Sequence, residues 1–232
     1  MTLKLCDTLG NRNLPYHRLT VYTAATGSDD NIRDMKVVPG VDYVAFVDRP
    51  QKSNTWKIKE SYDKFRSARR NSRAPKILCH HFIKSDYSIW IDARIVLRIG
   101  AIDMVNIWLS NADIAVFRHP FRSCIYEEAK ECARRKLDSS ELIDEQVQNY
   151  SQDGYRAAQG LAECSILLRR HTPQVEMFNA VWWGEHCRYS VRDQISFMYA
   201  AKKTAINLNI IPNAIRELFF DIEPRGARPE PL

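Results

Sequence analysis

The chain has 232 residues, is 45% hydrophobic and 27% charged, and carries a net charge of +6. That suits one α/β domain with a substantial core and the composition of a soluble globular protein. No apolar run approaches the ~20 residues that cross a bilayer, which excludes a spanning chain, and Met1-Thr2-Leu3-Lys4 meets charge too early for a signal peptide.

The six cysteines, Cys6, Cys79, Cys124, Cys132, Cys164 and Cys187, form no CxxC pair. Neither a zinc knuckle nor a thioredoxin-like motif is present, and reduced thiols in a cytoplasmic protein are expected. The moderate positive charge favours anionic ligands such as phosphates and nucleotides. It also leaves a basic face open to peripheral membrane contact. No specific nucleic-acid partner is expected.

In chain order, Arg18 to Ala25 predicts a strand running into a small polar turn, Thr26-Gly27-Ser28-Asp29-Asp30. Asp42 to Asp48 predicts a second strand ending on an acid, closed by Pro50 and followed by a polar loop containing Trp56. From Ser61 to Phe82 the pattern is helical and basic, with Arg66, Arg69, Arg70, Arg73 and Lys76. Pro75 predicts two helices, the second opening at that proline with Lys76 in its first turn. A buried strand ending at Asp92 comes next, then a strand from Ile95 to Ile99 and a short helix from Ile102 to Leu109. Asp113 to Arg118 repeats the strand pattern and leads into His119-Pro120-Phe121-Arg122.

Residues 124–137 read as a helix, and Asp138 with Glu141 resembles a capping box for the next one. That helix has an apolar stripe of Ile143, Val147 and Tyr150. After a loop from Gly154 to Gly160 come a strand, Glu163 to Arg169, and a helix opening at Thr172-Pro173 with Val175, Phe178 and Val181 on one face. A last helix runs from Ser190 to near Lys203, with a late strand from Ile206 to Ile211. The expected organisation is a single domain over residues 1–223 and a flexible, proline-rich tail over 224–232. Alternating strands and helices without a repeat point to an α/β/α sandwich on a mostly parallel sheet.

The stretch Asp86-Tyr87-Ser88-Ile89-Trp90-Ile91-Asp92-Ala93-Arg94 is the pivot. A carboxylate at the end of a central strand is costly to bury unless paired or bound to a cation, and it faces the edge where open α/β sheets bind ligands. Asp92 therefore reads either as a ligand for a divalent cation bridging a diphosphate or as a strand-end acid paired with Arg94. Lys76 reads as a phosphate contact or a solvated lysine.

The order Lys76-Ile-Leu-Cys-His-His-Phe, then Tyr87-Ser-Ile-Trp-Ile-Asp92-Ala-Arg94, resembles the core of GT-A glycosyltransferases. The resemblance implies that Lys76 contacts a sugar nucleotide's diphosphate, with Arg69, Arg73 and Arg94 near it. It makes Asp92 the first acid of an Asp-x-Asp motif holding Mn²⁺ or Mg²⁺. The third position is Arg94, so metal dependence stays open. Thr23, Ala24, Ala25 and Thr26 would lie near the nucleoside. Asp48 would accept hydrogen bonds from uracil or ribose, or simply cap a turn.

Over roughly residues 60–200 the chain is also similar to one glycosyltransferase-like family of unknown-function domains, the plant mucilage and turgor-regulation type. The similarity rests on Tyr87 to Asp92, His119-Pro-Phe-Arg122 with Cys124 and Glu127-Glu128, Arg170-His-Thr-Pro173, and Arg192-Asp-Gln-Ile-Ser-Phe197. Members have been assigned differently, including as a ceramidase. Asp193 resembles the late Asp-Gln acid of GT-A enzymes, a candidate general base; its other reading closes a capping box begun by Ser190. His119, Arg122 and Glu128 are candidate acceptor contacts, and Trp182 of the Trp182-Trp183 pair is a candidate stacking ring. His80 and His81 are adjacent and face different ways on a helix, and no Cys/His nucleophile pairing is supported by spacing.

The leading expectation is transfer of a sugar from a UDP-linked donor to a glycan, lipid-linked or other hydroxyl acceptor. The alternatives are a metal-dependent, ceramidase-like hydrolase of a lipid amide and a non-catalytic nucleotide- or polyanion-binding module.

Overall fold

The computed structural model describes residues 18–27 and 31–222. Cys6, residues 28–30 of the first turn and the tail over 224–232 lie outside the described residues.

The strands are β1 (Leu19–Ala25), β2 (Val41–Val47), β3 (Lys57–Glu60), β4 (Tyr87–Ile91), β5 (Ile95–Leu97), β6 (Ile114–Arg118), β7 (Ala162–Arg170), β8 (Leu208–Ile211) and β9 (Phe220–Ile222). Seven of them form one sheet in the order β3-β2-β1-β4-β7-β6-β8, and β5 pairs with β9 separately. β1 is parallel to β2 and β4, β2 to β3, and β6 to β8. Only β7 is reversed, antiparallel to both β4 and β6. The carboxyl ends of the six co-directional strands therefore share one edge.

Both faces are covered, which is why these strands read as nearly continuous apolar runs. On β1, Tyr22 and Ala24 enter one core, with Phe46, Trp90 and Leu167, while Val21 and Ala25 enter the other, with Tyr43, Ile89 and Ile91. The first core is closed by α1 (Ala68–Ile77), α2 (Cys79–Phe82), α4 (Ile125–Arg134), α5 (Ser140–Gln152), α6 (Pro173–Arg188) and α7 (Asp193–Thr204). The second is closed by α3 (Ala101–Trp108), Trp56 and Phe220. This is the α/β architecture with a mostly parallel sheet that the sequence implies. No helix among the described residues is long and apolar enough to cross a membrane.

Three local expectations are corrected. α1 begins at Ala68, capped by the Ser67 hydroxyl, and runs through Pro75 before closing where Leu78 N donates to Ala74 O at 2.9 Å. A proline this close to the end removes little of the helix's own bonding, and Ala74, Pro75, Lys76 and Ile77 are held by burial. Lys76 therefore ends a helix and does not start one. At α5, Ser139 is the cap, accepting from Leu142 N at 3.3 Å, and Asp138 instead accepts from Ser190 Oγ and Val191 N at 2.8 and 2.6 Å. At α7, Arg192 is the cap position and makes no side-chain cap bond, so the capping-box reading of Asp193 falls away.

Candidate active site at the carboxyl edge

Asp92 leaves β4 on the same face as Trp90, toward α1 and α7. Its N–H donates to Ser165 O at 2.9 Å, and Ile95 N donates back to Asp92 O at 2.9 Å, closing a tight turn that carries Arg94. The Trp90 indole N–H donates to Asp92 Oδ1 at 2.9 Å, and Lys76 Nζ stands 3.7 Å from the same oxygen. Lys76 Nζ is also 2.5 Å from Asp193 Oδ2, which Arg73 Nε approaches at 3.2 Å. Arg73 and Lys76 are three residues apart on α1 and so share a face. The result is a continuous chain of alternating charge: Arg73, Asp193, Lys76, Asp92.

Burial by itself would push the Asp193 carboxyl up, but Lys76, then Arg73 and Arg192, outweigh it and hold it well below the usual carboxylate range. Asp193 is a locked anion. Lys76 is only 1% exposed. Its charge therefore acts through the two carboxylates it touches. Asp92 is the open member, its side chain 38% exposed.

At the neighbouring strand ends, Thr23, Ala24 and Ala25 are buried within β1, so their side chains are core and do not line a crevice. Thr26 and Gly27 emerge. Thr26 Oγ1 donates to Ala68 O at 2.6 Å, and Gly27 N donates to Asp48 Oδ2 at 2.5 Å. Gly27 has φ of +83°, a backbone state that L residues adopt at a cost. Asp48 thus caps the turn while remaining exposed, beside a shallow depression lined by Val47, Arg49, Ile58 and Lys59.

A second cluster follows β6. Buried Glu128 accepts from Arg122 Nε at 2.6 Å, with His119 Nε2 at 3.8 Å and Arg192 NH2 at 3.9 Å. His119 Nδ1 accepts from Phe121 N and Arg122 N at 3.3 and 3.2 Å, which places a neutral ring's proton on Nε2, facing Glu128. Burial, opposed by Glu128, holds the His119 imidazole below its usual range. Glu128 is enclosed, so it anchors the loop and offers no surface to an acceptor. Through Arg192 it also ties that loop to the residue before Asp193.

Residues 42–223 match the model of a family described as TOD1/MUCI70, glycosyltransferase-like domain. The chain belongs to this family. Among curated proteins it is 31% identical over 193 residues to the probable hexosyltransferase MUCI70 of Arabidopsis thaliana, covering 78% of this chain and 32% of that one. It is 28% identical over 155 residues to the alkaline ceramidase TOD1 of Arabidopsis thaliana, covering 62% and 34%. The chain spans about a third of the length of these curated relatives. Among solved structures, apo mouse xyloside xylosyltransferase 1 matches with a TM-score of 0.43 at 9% identity over 84% of each chain, a likeness too loose to support more.

Within this TOD1/MUCI70-type domain, the sequence-predicted acids Asp92 and Asp193 do come together, joined by Lys76. Arg73 joins them, whereas Arg69 extends over the surface, 3.5 Å from Leu137 O. Arg70 is a structural residue: it caps the end of α6 by donating to His186 O and Tyr189 O at 2.5 and 2.8 Å. Trp182 is corrected as an acceptor platform. It is fully buried among Phe178, Phe197 and Arg169, and its indole N–H donates to Asp193 O at 3.0 Å.

Two residues of the domain escape the sequence reading. Glu163, at the start of β7, accepts from Ser165 Oγ at 2.6 Å and lies 3.8 Å from Arg216 NH2. Burial, only partly countered by Arg216 and reinforced by the charge on Asp92, pushes its carboxyl up. An acid opening an otherwise apolar strand is the signal that could have found it. Phe121 is 84% exposed on the loop that His119 pins.

Proposed function

We propose that this domain transfers a sugar from a nucleotide sugar, a UDP sugar in the simplest case, to a hydroxyl of a glycan or lipid-linked acceptor. The observation that carries the reading is the Arg73–Asp193–Lys76–Asp92 chain at the carboxyl edge of a parallel sheet, where such folds bind ligands. Membership of a glycosyltransferase-like family supports it. In this reading the nucleoside lies against Thr26, Gly27 and Asp48, and the diphosphate lies over Asp92 and Arg94. The bond from the anomeric carbon to the diphosphate oxygen breaks as the acceptor oxygen bonds to that carbon, and the acceptor's hydroxyl proton passes to solvent or to the departing diphosphate. The charge left on the diphosphate is met by fixed positive groups, Arg94 beside it and the Lys76–Arg73 pair beneath. His119, Arg122 and Phe121 flank the acceptor side.

A divalent cation of the Mg²⁺ or Mn²⁺ class commonly takes one or two protein carboxylates and completes its shell with phosphate and water. Asp92 fits that limited demand. Asp193 is already ion-paired, and among the described residues no group of three or more His, Cys, Asp or Glu gathers to hold a metal. The donor set therefore suits an ion that arrives with the diphosphate, held by Asp92 and supplying charge neutralisation there.

The relative named an alkaline ceramidase gives a second reading, hydrolysis of a lipid amide. A metal-bound water for that chemistry needs several His or acid ligands, which the described residues do not assemble. A thermal-shift screen of UDP, UDP sugars and other nucleotides, with and without Mn²⁺, tests the proposal, because a specific ligand raises the melting temperature of the folded state. Stabilisation by UDP sugars supports transfer. Amide cleavage by purified protein with no response to any sugar nucleotide would reverse the order of the two readings.

A further inference from the structure

Phe121 is the most exposed large apolar side chain among the described residues, at 84%. A single exposed apolar residue needs no explanation by itself. This one stands on a segment held from several directions. His119 Nδ1 accepts from both Phe121 N and Arg122 N, at 3.3 and 3.2 Å. His119 N donates to Leu161 O at 2.9 Å, and Gly160 N donates to Ser123 O at 3.0 Å. Arg122 Nε is paired with buried Glu128 at 2.6 Å. The ring is therefore presented to solvent from a fixed backbone.

The segment packed beside it, residues 155–160, carries a second departure. Ala158 is exposed with φ of +59°, a left-handed state unfavourable for any residue with a Cβ. It is kept there as Ala158 N donates to Cys124 Sγ at 3.4 Å, while Tyr126 Oη donates to Tyr155 O. Strained backbone of this kind gathers at sites that hold ligands. Both segments lie at the carboxyl edge. One follows β6 and the other precedes β7, where Phe117 pairs with Glu163 and Arg118 with Ala162. β6 is two strands from β4, so the foot of the Phe121 segment stands ~10 Å across the edge from the strand end that carries Asp92.

We propose that Phe121 is the stacking platform of a carbohydrate subsite, on which a pyranose ring of the acceptor chain lies beyond the sugar that reacts. The C–H face of a pyranose is weakly positive and meets the negative face of an aromatic ring. A platform already fixed by its hydrogen bonds spares the cost of ordering it on binding. Arg118, Pro120 and Ser123 are the other exposed residues of the segment, so sugar hydroxyls find polar groups beside the ring. The same composition disfavours a lipid surface, whose hold grows with buried apolar area. The acceptor role of the bound chain rests on the sugar-transfer reading, which this subsite narrows to a glycan acceptor recognised at a distance from the bond being formed.

Binding of the intact chain to an array of neutral and acidic oligosaccharides, followed by titration of those that bind, tests the proposal. Substitutions at so exposed a position leave folding intact. Phe121→Ala is expected to bind the same oligosaccharides roughly tenfold more weakly. Phe121→Trp is expected to restore binding, and Phe121→Leu, which keeps apolar bulk without a π-face, to behave as Phe121→Ala does. In transfer assays the acceptor KM is expected to rise in Phe121→Ala while the donor KM stays where it is. No oligosaccharide bound by the wild type, or equal binding by wild type and Phe121→Ala, would overturn the proposal. So would Phe121-dependent binding to phosphatidylcholine–phosphatidylserine vesicles in place of sugars. Phe121-dependent sugar binding with no thermal response to any sugar nucleotide would keep the platform and remove the transfer reading, so the two failures are told apart.

Discussion

Lys76 Nζ and Asp193 Oδ2 meet at 2.5 Å with both side chains at most 5% exposed. The contact joins the end of α1 to the start of α7, so charge and architecture are coupled at one point. Breaking a buried pair by removing one partner costs ~3–5 kcal/mol, because the other charge is left uncompensated. Lys76→Met is expected to lose stability toward the lower end of that range in denaturant unfolding, since Asp193 keeps Arg73 at 3.2 Å while Asp92 loses its ammonium. A loss below ~1 kcal/mol would place the pair in the range of solvated surface bridges.

The same carboxyl sets an acid limit. Its folded pKa is depressed, so its stabilisation is fully present above the unfolded value of ~3.9 and declines as pH falls below that. Asp193→Asn is expected to be less stable at neutral pH and to show a shallower fall in urea midpoint below pH ~4. An unchanged slope would mean that other carboxylates govern acid unfolding.

Asp92 is the converse case. Its side chain is 38% exposed and accepts from the Trp90 indole, so Asp92→Ala is expected to stay folded within ~1–2 kcal/mol of the parent. Transfer from a sugar nucleotide should be abolished. Retained transfer would remove Asp92 from the reaction.

Gly27→Ala probes the turn against which the proposed nucleoside would lie. A Cβ there meets Ala68 Cβ at 3.4 Å, ordinary contact, so the cost comes from the positive φ and is ~1–2 kcal/mol. Weaker donor binding, read by titration calorimetry, is expected to accompany the loss. Unaltered affinity would detach this turn from the donor.

His186 makes a separate pH prediction. Burial brings its imidazole down to about 3, and both ring nitrogens are enclosed with no hydrogen-bond partner among the described residues. Below the unfolded value of ~6.5 the unfolded chain takes a proton that the folded one refuses, so stability falls with pH by up to ~1.4 kcal/mol per unit. His186→Phe, which keeps an aromatic ring against Trp183, should flatten the urea midpoint between pH ~6.5 and ~4.

Much of this was legible in the residues. The apolar runs gave β1, β2, β4, β6 and β7 nearly to their ends; Asp92 came forward as a strand-end acid, and Asp193 through the resemblance to the late Asp-Gln acid. β3 was not legible: Lys-Ile-Lys-Glu is fully exposed edge, whose lysines guard against pairing and erase the apolar signal. Trp182 was legible but misread. It stands seven residues after Val175 and four after Phe178, on the stripe that enters the core, and the ring nearer the surface is Trp183. The Arg73–Asp193 contact could not be read, because the residues lie 120 positions apart and only the packing of α1 against α6 and α7 unites them.

The reversal of β7 has a practical consequence. The strand begins at the edge where the six co-directional strands end, beside Asp92, and its exit, at His171 and Thr172, leaves from the opposite rim. A fluorophore or surface tether attached on that rim would report on or immobilise the molecule while leaving the mouth free for a bulky polymer to approach.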